Sequence, residues 1–278
     1  MLRPACFTSA ALVACVSATS FAPMAAATGA SAPNEAEAAG DEANIIRLTG
    51  ILRDFKVDHP DMQHPNKSFG KKQGVVENEL NSEGKPVLKP EMARNAMITS
   101  EESFNQWFND VPGVNLSVPH QIELTPLPSR PGVFHFARER GMPGSLEYFF
   151  PLDNHPGGWG DIDRGHNFYF TYEITSEFTF TDPAITGRPD MEFSFTGDDD
   201  VWVFINNRLA VDIGGVHAQE KDSINLDANM EMLGLEYGED YEMKLFFAER
   251  HTSQSNFRIE TTMSLRSDEP LERETLFD

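Results

Sequence analysis

The chain alternates apolar and polar residues in short runs, and this alternation predicts a protein built mainly from β-strands. The strongest run, residues 168–180, places an aromatic or aliphatic residue at almost every second position. A period of two gives a strand one buried face. Further predicted strands lie at residues 45–55, 121–124, 133–138, 223–226, 241–247 and 257–265. Short strands at such intervals, with little helix between them, are typical of a β-sandwich.

Residues 193–217 predict a β-hairpin. Two alternating runs flank Asn206-Asn207, and two such residues between strands are typical of a primed turn. Counting outward from the turn predicts three facing pairs: Ile205 with Arg208, Val203 with Ala210, and Val201 with Asp212. The opposite face then carries an apolar wall of Trp202, Phe204, Leu209, Val211 and Ile213.

One short helix is predicted over residues 101–109. The four residues from Thr99 to Glu102 fit a capping box, with Glu102 at the third helical position. Phe104, Trp107 and Phe108 then share one helix face, which predicts core packing.

Three consecutive aspartates, Asp198, Asp199 and Asp200, stand where the first strand of the hairpin begins. Neighbouring side chains of a regular strand point to opposite faces, so adjacent carboxylates hold one ion only if the backbone turns there. Their mutual repulsion would be relieved by a hard, oxygen-seeking cation such as Ca²⁺. The alternative is a solvated acidic turn, since Gly-Asp is common turn chemistry. The residues alone leave both interpretations open.

Composition narrows the classes of partner. The 278 residues include 21 Phe, enough bulky material for a sizeable core, and 44 acidic against 22 basic residues. A net charge of −22 argues against nucleic acid and anionic membrane surfaces as partners. The sequence shows neither the spacing of a zinc site nor that of an EF-hand.

The N-terminal segment predicts export. Residues 1–27 have the basic start, apolar centre and small-residue end of a signal peptide, and residues 28–43 read as a disordered leader. The alternative is lipid anchoring at Cys15, which closes a lipoprotein-like box. Both cysteines lie in this segment, so no disulfide is predicted in the folded domain, which we place at residues 44–266 before a charged tail at 267–278. No apolar run after the signal reaches transmembrane length.

Motifs along the chain resemble a known family. The run from Phe195 to Asn206, with Gly197-Asp198-Asp199-Asp200 at its centre, is followed by Asp212-Ile-Gly-Gly-Val-His217. These motifs resemble the fibro-slime domain, a bacterial and slime-mould branch of the PA14 superfamily. Smaller blocks agree in the same order at residues 53–55, 59–61, 104–107, 166–168, 171–173, 247–251 and 255–258.

The resemblance implies an all-β, PA14-like antiparallel β-sandwich with one or two short helices. In the lectins of that superfamily, two neighbouring aspartates joined by a cis peptide bind Ca²⁺, and the ion contacts sugar hydroxyls. The matching residues here are Asp198 and Asp199. A second calcium loop, which carries an Asn in those lectins, lies nearest Glu249.

Two further groups of side chains complete the predicted site. Arg250, His251 and Gln254 are candidate carbohydrate contacts, although a structural ion pair is the alternative role for Arg250. Asp212 is a candidate metal ligand on the predicted hairpin register, and the alternative for it is a bond to the turn that follows.

The sequence suggests three alternative functions. The leading one is a secreted or cell-surface, calcium-dependent carbohydrate-binding module for adhesion, with glycans or matrix polysaccharide as partners. In the second, calcium only stabilises the fold of a structural extracellular-matrix (slime) protein, and the partner is a matrix protein or a matrix polymer. The third is a glycoside hydrolase. The sequence shows no paired acidic motif on separate strands for that reaction, so no enzyme is predicted.

Overall fold

The computed structural model describes residues 45–144 and 147–267. The predicted signal segment, Cys15, the leader and nearly all of the charged tail lie outside these ranges. Within them, the strands are β1 (Ile46–Phe55), β2 (Asn115–Pro126), β3 (Phe134–Arg138), β4 (Phe170–Thr179), β5 (Glu192–Gly197), β6 (Asp200–Ile205), β7 (Arg208–Ile213), β8 (Glu220–Asn225), β9 (Asp240–Glu249) and β10 (Phe257–Thr261). All seven predicted strand regions therefore contain a strand.

The strands are hydrogen-bonded in the order β7-β6-β9-β4-β1-β2-β3-β10-β5-β8, and every neighbouring pair is antiparallel. β2 joins two layers, because residues 115–124 pair with β1 whereas Thr125 and Pro126 pair with β3. The layers face each other: the ring of Phe247 on β9 lies 6.1 Å from that of Phe195 on β5 and 5.1 Å from that of Phe257 on β10. The predicted antiparallel β-sandwich is confirmed.

A second apolar cluster covers the outer face of the β6–β9 layer. Residues 75–108 supply Val75, Phe104, Trp107 and Phe108 to it, and the strands supply Trp202, Phe204, Phe246 and Ala248. We call this the outer cluster. Since Val201, Val203 and Ile205 pack in the core between the layers, β6 is buried on both faces.

The hairpin forms with the predicted turn but not with the predicted register. Asn206 and Asn207 both have positive φ, 49° and 63°, as a primed turn requires. The observed pairs are Ile205 with Arg208, Phe204 with Leu209, Val203 with Val211, Trp202 with Asp212, and Val201 with Ile213. A bulge adds one residue to β7 at this point, so the predicted partners Ala210 and Asp212 are wrong. Val211 and Ile213 consequently lie in the core with Val201, not on one wall with Trp202.

Helices are short throughout the described part of the chain. They are α1 (Glu101–Phe104), α2 (Pro183–Thr186) and α3 (Met230–Leu233), with one 3-10 turn at Pro90–Met92. The predicted helix over 101–109 is only four residues long, and its N-cap is Ser100 rather than Thr99. Ser103, not Glu102, closes the capping box, because its hydroxyl accepts a hydrogen bond from the Ser100 amide at 3.1 Å. None of the helices in the described ranges is long and apolar enough to cross a membrane.

The primed turn generates a test of local backbone geometry. Asn207→Val should lower the free energy of unfolding by about 1–2 kcal/mol, because a β-branched residue is strained at positive φ. Asn207→Gly should leave stability within about 0.5 kcal/mol of the unchanged protein. Urea unfolding measures both, with Ser223→Val on the exposed side of β8 as the strand control. Equal stability of the Val and Gly variants would contradict the turn.

Buried His59 generates a test of acid stability. Burial lowers the pKa of His59, whose ring lies between Gln106 at 3.1 Å and the amide of Asp61 at 3.3 Å. The folded protein therefore resists a proton that the unfolded chain accepts near pH 6.5. Stability present above that pH is lost as the pH falls, by up to about 1.4 kcal/mol one unit below it. His59→Gln should show a shallower fall than the unchanged protein when urea unfolding is compared at pH values of about 7.5 and 5.5. The same slope in both proteins would contradict this assignment.

Candidate functional site

The three aspartates lie where the chain crosses from one layer of the sandwich to the other. β5 ends at Gly197 in the second layer, and β6 begins at Asp200 in the first. The peptide bond between Asp198 and Asp199 is cis, as the family resemblance implies. Asp198 and Asp199 are 3% exposed and Asp200 is fully buried, so the solvated acidic turn considered above is excluded.

Gly197 allows the following loop to approach the triplet. A Cβ atom at this position would lie 2.3 Å from the carbonyl oxygen of Asn256 and 2.5 Å from the ring of Phe195. Gly197 also pairs with Phe257 at the start of β10. The missing side chain therefore permits residues 250–256, the loop between β9 and β10, to meet the aspartates.

Asp198 is held by that loop. The backbone amide of Asn256 donates to Oδ1 of Asp198, and the side-chain amide of Asn256 donates to Oδ2 at 3.0 Å. Burial nevertheless raises the pKa of Asp198 above its ordinary value, and the two bonds from Asn256 oppose the rise.

Asp199 is held from two sides. The amide of His217 donates to Oδ1 at 3.2 Å, and the amide of Arg250 donates to Oδ2 at 3.2 Å. Burial is the main cause that raises the pKa of Asp199; the charge of Arg250 opposes the rise, and the carboxylates of Asp198 and Asp200 add to it. The charged form is therefore costly in this position unless a cation compensates it.

Asp200 has a direct ion pair with the side chain of Arg250, whereas the bond from Arg250 to Asp199 comes from the backbone amide. Arg250 donates to Oδ2 of Asp200 through Nε at 2.8 Å and through Nη2 at 2.6 Å, and the amide of Gly215 donates to Oδ1 at 2.5 Å. Both side chains of the ion pair are fully buried.

Other donors of Arg250 bind backbone carbonyls in the segment that covers the outer face. Nη1 donates to the carbonyl of Met97 at 2.9 Å, Nη2 donates to the carbonyl of Ala96 at 3.0 Å, and the guanidinium lies 4.5 Å from the ring centre of Trp107. The prediction that Arg250 contacts carbohydrate is wrong, because the side chain is 0% exposed. The structural ion pair, which was the alternative for this residue, is what the contacts show.

Glu249 is a buried carboxyl group that has no ion pair within the part of the chain that the structure describes. It is 0% exposed, and neither of its oxygen atoms makes a hydrogen bond of normal geometry. Burial raises the pKa of Glu249 well above its ordinary value, and Asp199 and Asp198 raise it further, while the nearby Ser255 hydroxyl opposes them. Unpaired buried polar groups are costly and usually have a functional or ligand-related reason.

Asp198 and Asp199 open onto a surface pocket of about 600 Å³. The pocket is lined by Phe69, Gly70, Asp198, Asp199, Val216, His217, Ala218, Glu220, His251, Thr252, Ser253 and Gln254. The predicted contact residues His251 and Gln254 therefore lie on the same pocket as the aspartates. Glu249 lies below its surface rather than on it.

Asp212 belongs to different surroundings. Its Oδ2 accepts a hydrogen bond from the amide of Gly74 at 2.7 Å, and the β7 bulge places it opposite Trp202. The register argument that brought Asp212 near Asp199 is therefore wrong. The expected alternative, a bond to the turn of Gly214 and Gly215, is not observed either.

Sequence reasoning missed the segment that brings Phe69 and Gly70 to the pocket. Gly70 donates to the carbonyl of Val216 at 2.8 Å, and the backbones of Lys72 and Gly214 exchange bonds of 2.6 and 3.0 Å. Phe69, 49% exposed, thereby stands beside the pocket. The available signal was that Phe69 is an isolated aromatic residue in a polar, glycine-rich segment. Phe69 and Asp198 are 129 positions apart in the sequence, which gave no reason to place them at one site.

Comparison with known proteins agrees with this geometry. The PA14 domain family matches residues 167–278, which include the aspartates, Glu249 and the loop after β9. The chain carries a PA14 domain. The predicted membership of the PA14 superfamily is therefore confirmed.

The relatives of this PA14 domain protein include larger proteins of Dictyostelium discoideum. Protein psiQ is 40% identical over 227 residues, which are 80% of this chain and 22% of psiQ. Protein psiR is 35% identical over 227 residues, with the same coverage of both chains, and protein psiD is 33% identical over 233 residues, 80% of this chain and 41% of psiD. The chain spans between about a fifth and two fifths of the length of these curated relatives.

Among solved structures, the PA14 domain of the MpAFP antifreeze protein is 9% identical, with 84% of this chain and 85% of that chain covered and a TM-score of 0.32. An anti-sigma factor domain-containing protein is 14% identical, covers 44% of this chain and 32% of its own, and has a TM-score of 0.24.

The buried ion pair of this PA14 domain generates a stability test. Arg250→Leu should lower the free energy of unfolding by about 3–5 kcal/mol, because Asp200 would remain buried without its partner. Arg47→Leu is the matched control: Arg47 pairs with Glu123 on the surface, where the side chains are 45% and 50% exposed, and should change stability by less than about 1 kcal/mol. Denaturant unfolding measures both. Similar losses in the two variants would contradict the central role of Arg250.

Proposed function

We propose that this protein is a secreted or cell-surface PA14 module that binds carbohydrate through Ca²⁺ and serves adhesion. The observation that carries the proposal is the combination of an open pocket, two buried aspartates facing it, and the unpaired carboxylate of Glu249 below them. An arrangement of this kind concentrates negative charge where a cation can reach it.

The donors suit a hard cation. Ca²⁺ prefers carboxylate, carbonyl and hydroxyl oxygen atoms and takes six to eight of them. Asp198 and Asp199 would hold the ion, and Glu249 would supply either a further oxygen or a compensating charge from below. Within the described ranges, no group of three His, Cys, Asp or Glu side chains is already arranged around one metal position. The proposal therefore leaves part of the coordination shell to backbone carbonyls, water and the hydroxyl groups of a sugar.

The proposed partners are glycans or a matrix polysaccharide. A net charge of −22 supports uncharged or cationic partners over nucleic acid, and the signal-like N-terminal sequence supports export. Binding through one shallow pocket is weak, so adhesion would depend on several copies or on anchoring to a surface.

The proposed activity is binding without catalysis. PA14 domains are binding modules, and the two aspartates at the pocket are adjacent in the chain rather than placed on opposite sides of a bond to be cleaved. Each of them also accepts backbone hydrogen bonds that hold it in position.

A purely structural role for calcium is the second candidate. The observation that favours it is that the triplet accepts backbone bonds from three segments, at Gly215 and His217, at Arg250, and at Asn256. Calcium-dependent thermal stabilisation without any glycan signal would favour this role over carbohydrate binding.

Both roles make the same first prediction. Asp198→Asn and Asp199→Asn should each abolish Ca²⁺ binding, because the neutral amide cannot replace the carboxylate charge. Calorimetric titration with CaCl₂ measures this. Under the carbohydrate-binding role alone, retention on immobilised glycans should be lost in parallel. Asp240→Asn is the control, since Asp240 is exposed on β9 away from the pocket. Unchanged calcium affinity in both site variants would refute the calcium site.

A further inference from the structure

Beside the loop after β9, the pocket lining carries a feature that the proposed calcium site does not explain. Phe69 is a large apolar residue that is 49% exposed at the edge of an otherwise polar cavity. Its ring meets the imidazole of His251 edge to face, with centroids 5.1 Å apart. The contact with His251 thereby fixes one side of the Phe69 ring against the protein, and about half of the residue stays exposed.

Phe69 is held in place by backbone bonds. The next residue, Gly70, donates to the carbonyl of Val216, and Lys72 forms a two-way bridge with Gly214. Gly214 and Gly215 permit this approach, because a Cβ at Gly214 would lie 2.7 Å from the carbonyl oxygen of Lys72. The same turn donates from Gly215 to Asp200, so the Phe69 loop and the aspartates are positioned by one structural element.

The charges of the pocket restrict what can enter it. Asp198, Asp199 and Glu220 contribute three carboxyl groups, and the residues that line the pocket in the described structure include neither Lys nor Arg. A single divalent ion would balance two of these three carboxylates and leave the lining negative. A ligand that carries a carboxylate is therefore disfavoured.

We propose that Phe69 determines the ligand class of this pocket: it packs against the apolar C–H face of an uncharged hexopyranose whose hydroxyl groups point toward Asp198 and Asp199. The inference rests on the proposed carbohydrate-binding function and adds a contact residue and a charge preference to it. Aromatic rings suit this role because they offer a large rigid apolar surface at little entropic cost.

The experiment compares four variants of the full chain. Phe69→Ala removes the aromatic side chain, Phe69→Leu keeps an apolar side chain without a ring, and Phe69→Tyr keeps the ring. Ile185→Ala is the matched control, because Ile185 is an apolar residue on α2 that is 84% exposed. Calorimetry with CaCl₂ alone measures the ion, and NMR titration with the methyl glycosides of glucose, galactose and mannose, and with glucuronic acid, measures the sugar.

The expected pattern separates the two ligands. Phe69→Ala and Phe69→Leu should weaken binding of the preferred neutral glycoside by about tenfold, the size of a lost aromatic contact, while calcium affinity stays within about twofold. Phe69→Tyr and Ile185→Ala should bind both ligands as the unchanged protein does. Glucuronic acid should bind more weakly than the glucoside.

Different failures have different meanings. Full sugar affinity in Phe69→Ala or Phe69→Leu, or equal binding of glucuronic acid and the glucoside, would overturn this inference alone. Loss of calcium binding in both the Ala and Leu variants would show that Phe69 supports the ion site, which would also overturn it. If the unchanged protein binds calcium but none of the sugars, this inference and the carbohydrate part of the proposed function both fail.

Discussion

The fully buried ion pair between Arg250 and Asp200 is the interaction on which the rest of the site depends. It joins the start of β6 to the end of β9, and the other donors of Arg250 reach the carbonyls of Ala96 and Met97 in the segment that covers the outer face. The inner sandwich and its outer cover therefore share one charged side chain. A pair without water contact is costly to form and more costly to break, which makes this position intolerant of change.

Two buried carboxyl groups at this ion pair, those of Asp200 and Glu249, differ in their electrostatic surroundings. Arg250 neutralises Asp200, whereas Glu249, one position before Arg250, is equally buried and has no cationic partner among the residues that the structure describes. Strand alternation produces the difference, because Arg250 points to the outer cluster and Glu249 points to the side of Phe247, between the layers. Arg250 therefore neutralises Asp200 on the outer side, while the carboxyl group of Glu249 has no ion pair among the described residues and would gain from a cation bound at the pocket.

Local sequence patterns predicted most of the fold. The alternating runs located the strands because a half-buried strand must alternate, and Asn206-Asn207 predicted the primed turn because few residues adopt positive φ readily. Register was not predictable in the same way. The bulge adds one residue to β7, and no glycine or proline within the strand marks it. Val211, Asp212 and Ile213 therefore lie on faces other than the expected ones. The predicted capping box was wrong for a similar reason. Thr99 and Ser100 are both suitable N-caps, and the sequence does not show at which of them the backbone enters the helix.

By itself, the sequence determined the all-β class, the PA14 resemblance and the acidic triplet at the head of β6, because these depend on residues adjacent in the chain. Only the tertiary structure decided the roles of the remaining side chains. It buried Arg250 away from the pocket, took Asp212 to Gly74, left Glu249 without a partner, and brought Phe69 to the pocket that Asp198 lines. Burial and long-range contact depend on how the layers and loops pack, and no local pattern of residues encodes that packing.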